Sequence, residues 1–98
     1  METSIRVEIN DGVSWRDVGG DVVILNAEAG VYFGIDGSGS QMWRELAEHG
    51  SVEKTLESLK HQFDVEPDEL KRDLDDLVKQ LVEKGLVQLI AEPKGKPR

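Results

Sequence analysis

Cysteine is absent from this chain of 98 residues, and aromatic residues make up only 5% of it. The missing cysteine excludes disulfide bonds, thiolate metal sites and cysteine nucleophiles. No apolar run approaches the roughly 20 residues that span a bilayer, and no basic-then-apolar segment opens the chain. These absences predict a cytoplasmic domain without a membrane partner.

Basic residues are also few, with 12 lysines and arginines against 20 aspartates and glutamates. The resulting net charge of -8 argues against a nucleic-acid partner, because duplex binding depends on Lys and Arg at the phosphates. His49 and His61 are isolated histidines that do not form a ligand pair with each other, so no metal site is expected. A chain this short has little room for a deep pocket and a cofactor fold. We therefore expect no enzyme activity and no cofactor.

The first half of the chain has the alternation of β-strands. The first twenty residues predict one strand, Val13 to Val18, with an extended lead-in before it. Gly19 and Gly20 can adopt the positive φ angles of a tight hairpin, so this strand should pair with Val22 to Asn26. A third strand, Val31 to Ile35, follows a short turn. The three strands predict an antiparallel meander.

The second half has the 3.6-residue period of helices. Gly50 should end a first helix, Ser51 should cap a second, and Pro67 with Gly85 should bracket a third from Pro67 to Lys84. Residues 86–90 form an apolar run that predicts either a closing strand or a capping segment. The fold class is therefore α+β and winged-helix-like, a three-stranded antiparallel sheet followed by three helices. Residues 1–91 should form one domain and residues 92–98, rich in Pro, Gly and Lys, a disordered tail.

The third predicted strand has no later strand to pair with its outer edge. Its alternation places Val31, Phe33 and Ile35 on one face, with Tyr32 and Gly34 on the other. An unpaired strand edge is either blunted or has a partner. Gly34 weakens a strand interior unless something approaches closely there. These features favour strand addition by a peptide.

Several segments together resemble the PqqD-like family: LNAEAGVYFGID, GSQMWREL, FDVEPDEL and LVEKGLV, within the range from Val13 to Leu89. The resemblance implies a precursor-peptide recognition element that acts in the biosynthesis of ribosomally made, modified peptides. It implies a cleft between the third strand and the third helix, where a leader peptide adds as a strand. The partner enzyme would be a separate leader peptidase of a lasso-peptide pathway. The alternative is a radical-SAM maturase, as in pyrroloquinoline quinone biosynthesis.

The predicted leader-binding residues come from that strand and from one side of the third helix. Alternatives remain open: Tyr32 could be half-buried against a neighbour, Gly34 could mark a bulge, and Val78 and Val82 could pack against the sheet. The full set is Val31, Tyr32, Phe33, Gly34, Ile35, Lys71, Leu74, Asp75, Val78 and Val82.

A winged-helix DNA-binding regulator is the alternative from another functional class. The charge of its would-be recognition helix argues against it, because phosphates repel an acidic helix. Between positions 66 and 84 lie seven acids, Glu66, Asp68, Glu69, Asp73, Asp75, Asp76 and Glu83, against four bases, Lys71, Arg72, Lys79 and Lys84.

Overall fold

The computed structural model describes residues 3–93 and contains, in that range, five strands and three helices. None of these helices is long and apolar enough to cross a membrane. The elements are β1 (Thr3–Ile9), β2 (Val13–Val18), β3 (Asp21–Asn26), β4 (Val31–Ile35), α1 (Gly37–His49), α2 (Val52–Lys60), α3 (Pro67–Glu83) and β5 (Val87–Pro93).

The predicted antiparallel meander is confirmed as the sheet β2-β3-β4. Gly19 and Gly20 form its first turn with φ angles of 62° and 96°, which suit a type I′ hairpin. The second turn is held by Asn26, whose side-chain Oδ1 accepts hydrogen bonds from the backbone N–H groups of Glu28 and Ala29. Such an Asx turn explains why a polar residue ends β3.

The first twenty residues form two strands, which corrects the prediction of one strand with a lead-in. Gly12 has a φ of 80° and breaks the extended backbone between β1 and β2. β1 then pairs antiparallel with β5 in a separate two-stranded sheet, with Ile9 opposite Val87 and Thr3 opposite Pro93. The apolar run at residues 86–90 is thus largely strand. Glu92 and Pro93, the first two residues of the predicted disordered tail, belong to β5, and residues 94–98 lie outside the described part of the chain.

The predicted helix ends are confirmed in detail. Gly50 ends α1 with a φ of 64°, and the side-chain oxygen of Ser51 accepts a hydrogen bond of 3.2 Å from the N–H of Lys54. Pro67 stands at the start of α3, which ends at Glu83, one residue before the predicted limit. The structure therefore has the predicted α+β, winged-helix-like class.

The core lies between the inner face of the three-stranded sheet and the three helices. Trp43 of α1 is fully buried and meets Trp15 of β2 edge to face, with the ring centroids 5.8 Å apart. Arg44 anchors α1 to the first hairpin through an ion pair of 2.6 Å with Asp17. The α3 residues in the core are Leu70, Leu74, Leu77, Val78 and Leu81.

Candidate functional site

β4 is an edge strand of the three-stranded sheet. It pairs with β3 on one side, and no described residue pairs with its other side. Ile35 and the half-buried Phe33 point into the core, whereas Val31 is 46% exposed. Since backbone groups of a strand point alternately to its two sides, β4 presents a row of N–H and C=O groups to solvent.

Tyr32 and Gly34 lie on the outer face of the sheet, as the alternation predicts. Tyr32 stands opposite Leu25 and is 74% exposed, so it is not half-buried against a neighbour. Gly34 stands opposite Val23 in a continuous register, so it marks no bulge. A Cβ atom added at Gly34 would meet no atom within 4 Å, which leaves open space above the strand.

α3 runs beside β4 in the opposite direction. In its first half, Asp73 lines the same cavity as Ser38, which follows β4 closely in the chain. At its end, Lys84 lines a cavity of about 190 Å³ together with Val31, Tyr32 and Phe33. From Asp73 to Lys84 the helix spans about 16 Å, close to the roughly 13 Å of β4. The flank of α3 that carries Asp73 and leads to Lys84 therefore faces the β4 side of the fold, and it meets the strand itself at Lys84.

Helical spacing from Lys84, which meets β4, puts Asp73, Leu77 and Gln80 on the same flank of α3. We call the groove between these residues and the outer edge of β4 the β4–α3 groove. Leu77 is 8% exposed and contributes apolar floor, while Gln80 is exposed. The Lys84 Nζ lies 5.3 Å from the centroid of the Phe33 ring, a cation–π distance that joins the two walls.

Most of the predicted helical site residues lie on the other flank of α3. There, Lys71, Asp75, Val78 and Val82 line a cavity of about 480 Å³. We call it the α3–β5 cavity; its other lining residues are Ile5 of β1, Val52 and Glu53 of α2, Lys79 and Glu83 of α3, and Leu89 of β5. No residue of β4 contributes to it. The structure therefore does not bring the predicted strand and helix residues together in one cleft.

The predicted helical site residues also differ in how deeply they are buried. Leu74 is fully buried in the core and does not form the rim of a cleft. Val78 is 6% exposed, which agrees with the packing alternative, whereas Val82 is 40% exposed. Lys84, which contacts Phe33 of β4, was missed, as were Leu77 and Gln80 on the same flank of α3. Helical spacing groups them, but only the docking of α3 shows which flank meets the strand.

Charge is arranged differently on the two flanks of α3. In the α3–β5 cavity, Lys71 Nζ donates a 2.8 Å hydrogen bond to Asp75 Oδ2. This bond and the carboxylate charge raise the pKa of Lys71. In the β4–α3 groove, Asp73 and Lys84 take part in no ion pair with any residue in the range 3–93. That range also contains no group of three His, Cys, Asp or Glu side chains able to hold a metal ion.

Comparison with known proteins gives a family match over residues 21–87, to the model described as coenzyme PQQ synthesis protein D (PqqD). The chain belongs to the PqqD family. The family match covers β3, β4, all three helices and the start of β5, and so includes both walls of the β4–α3 groove. No curated protein sequence matches the chain.

Two solved structures are similar to this PqqD-family chain. TbiB1, in complex with the TbiA(beta) leader peptide, is 28% identical, with a TM-score of 0.76 over 93% of this chain and 99% of TbiB1. A lasso peptide synthetase B1, complexed with the leader peptide, is 20% identical, with a TM-score of 0.75 over 85% of this chain and 98% of that protein. The second likeness concerns the fold alone.

Proposed function

We propose that this protein recognises the leader segment of a ribosomally made precursor peptide by accepting it as an added strand on β4. The observation that carries the proposal is the outer edge of β4, which no described residue pairs with and whose residues line a cavity together with Lys84 at the end of α3. The likeness to TbiB1, a protein solved with a leader peptide, supports it. Strand addition explains why this edge is left open instead of being blunted.

The groove suits an extended peptide. A strand placed about 4.8 Å from β4 would form main-chain hydrogen bonds with it, whatever the side chains of the guest. Alternate guest side chains would point inward, toward Phe33 and Leu77, and outward, beside Tyr32 and the open space at Gly34. The backbone would supply affinity, and the inward positions would supply specificity.

The proposed binding residues are accordingly Val31 to Ile35 from the strand and Leu77, Gln80 and Lys84 from the helix. Val82 and the paired Lys71 and Asp75 border the α3–β5 cavity instead. A single strand added to β4 would not reach that cavity, because the body of α3 separates the two.

We further propose that the role is non-catalytic and that the bound precursor is handed to a separate leader peptidase. An adaptor of this kind accelerates cleavage by raising the effective concentration of substrate at the enzyme. The proposal can be checked by following precursor cleavage by the partner peptidase with and without this protein. Equal rates at limiting precursor concentration would count against delivery while leaving leader binding intact.

Titration with a fluorescently labelled leader peptide tests the central proposal. The leader is taken from the precursor peptide encoded beside the gene for this protein. We expect a saturable rise in anisotropy with a Kd in the low micromolar range or tighter. Val82→Ala, in the α3–β5 cavity, is the matched control and should bind as the native protein does. Absence of saturable binding up to about 1 mM peptide, which corresponds to about 4 kcal/mol of binding free energy, would contradict the proposal.

A further inference from the structure

The two ends of the β4–α3 groove carry opposite charges. At the end where β4 stops, the exposed Asp36 follows the strand directly, and the exposed Asp64 and Asp73 line a cavity with Ser38 of α1, two residues further along the chain. At the end where β4 starts, Lys84 lies beside Val31 and Phe33. A peptide in the groove would pass from an acidic end to a basic end.

These charges are available to a guest. Asp36, Asp73 and Lys84 form no ion pair with any residue in the part of the chain that the structure describes. Lys84 has the face of Phe33 as its contact, which leaves ammonium N–H groups to donate to a carboxylate. The other flank of α3 differs, because Lys71 is already paired with Asp75.

The two ends are too far apart to neutralise each other. Asp73 and Lys84 are separated by about 16 Å along the helix, more than the Debye length of about 10 Å at 0.1 M salt. Each end therefore acts on the part of the peptide that lies next to it. The groove can therefore distinguish guest strands by the order of the charges along them.

We infer that the groove selects a peptide strand by its charge order, an inference that rests on the proposed strand addition to β4. Basic side chains of the guest would lie at the end with Asp36 and Asp73, and an acidic side chain would lie at Lys84. Antiparallel pairing is slightly more stable per residue than parallel pairing, so the guest should run opposite to β4. Its N-terminal half should then be basic and its C-terminal half acidic.

Two designed peptides of identical composition provide the test. One places two lysines before an alternating Val and Thr segment and two glutamates after it, and the other reverses the halves. Acetylated and amidated ends remove the terminal charges. At low salt we expect the native protein to bind the lysine-first peptide about five- to tenfold more tightly than the glutamate-first peptide. A few exposed charge pairs contribute a difference in binding free energy of this size. Salt at about 0.5 M should largely remove the preference.

Charge reversal in the protein sharpens the experiment. The double variant Asp73→Lys with Lys84→Glu should invert the preference, so that the glutamate-first peptide binds more tightly. The matched control is Lys79→Glu with Glu83→Lys, which exchanges the same charges on the other flank of α3 and keeps the net charge. That control should retain the native preference.

The outcomes separate this inference from the proposed function. Equal affinity of the native protein for both peptides, or inversion by the control variant, would overturn charge selection and leave strand addition standing. A native preference for the glutamate-first peptide would overturn the antiparallel direction. Failure of both peptides to bind, while the leader peptide binds, would overturn the inference alone. Failure of the leader as well would remove the proposed function on which it rests.

Discussion

The two flanks of α3 differ in what they offer a partner. One flank faces the side of the fold with the unpaired outer edge of β4, and there Asp73 and Lys84 form no ion pair with any described residue. The other faces the α3–β5 cavity, which has the larger volume, about 480 Å³ against about 190 Å³ at Lys84. At this cavity β1 offers no open edge, because it pairs with β5 on one side and the Val7 N–H donates to the Gly50 carbonyl on the other, whereas β5 pairs with β1 alone among the described strands.

The size of an apolar cavity is therefore a poor guide to where a peptide strand docks. A strand needs backbone partners along its whole length, and β4 offers them at an edge of the three-stranded sheet where Lys84 of the neighbouring helix end also lies. The α3–β5 cavity is apolar, yet its charged rim includes the ion pair between Lys71 and Asp75. The smaller cavity therefore marks the better site.

The largest expected effect is on the free energy of unfolding, and it should differ between a buried and an exposed position in the α3–β5 cavity. Val78→Asp should lower the free energy of unfolding by about 3 kcal/mol or more, because it places an unpaired carboxylate in the core. Val82→Asp, at a position that is 40% exposed, should cost less than about 1 kcal/mol. Urea denaturation of both variants checks this. Similar losses in the two would show that the cavity does not distinguish these positions.

The next effect concerns peptide binding at β4. Tyr32→Ala should weaken leader binding about tenfold, since exposed aromatic side chains at a binding edge often contribute most of the affinity. Its free energy of unfolding should change by less than about 0.5 kcal/mol, because the side chain is 74% exposed. Anisotropy titration and thermal unfolding provide the two readings. Unchanged binding would move the site away from the outer face of β4.

Gly34→Val should have the smallest effect, and it should raise the stability of the fold while weakening leader binding. Valine favours strands and meets no atom within 4 Å at its Cβ, so the free energy of unfolding should rise by up to about 1 kcal/mol. Leader binding should weaken a few-fold, because valine fills the open space that a guest side chain would use. A variant that is more stable and binds equally well would show that this space is not used.

Local features of this fold could be predicted from the sequence because local chemistry determines them. Gly19 and Gly20 specify a hairpin, Ser51 caps a helix, and Pro67 begins one. The pairing of β1 with β5 could not be predicted, since it joins residues at opposite ends of the chain. Long-range pairing of this kind has no signature in the spacing of nearby residues.

The strand half of the candidate site could be predicted, but most of the helical half could not. Alternation identifies the exposed side of a strand, which is why Tyr32 and Gly34 were placed correctly on the outer face. On α3 the apolar stripe is wide, and Leu74 lies at its buried centre. A stripe shows which side faces the core, but not which of its two borders meets β4. Lys84 on one border and Val82 on the other look equally suitable in the sequence alone.

Amide hydrogen exchange, measured residue by residue with and without the leader peptide, tests strand addition to β4 most directly. Added peptide should protect alternate amides within Val31–Ile35, the ones that point away from β3, and leave Val52 and Leu89 in the α3–β5 cavity unchanged. Protection at Val52 and Leu89, with no change in β4, would contradict the account and place the peptide on the opposite flank of α3.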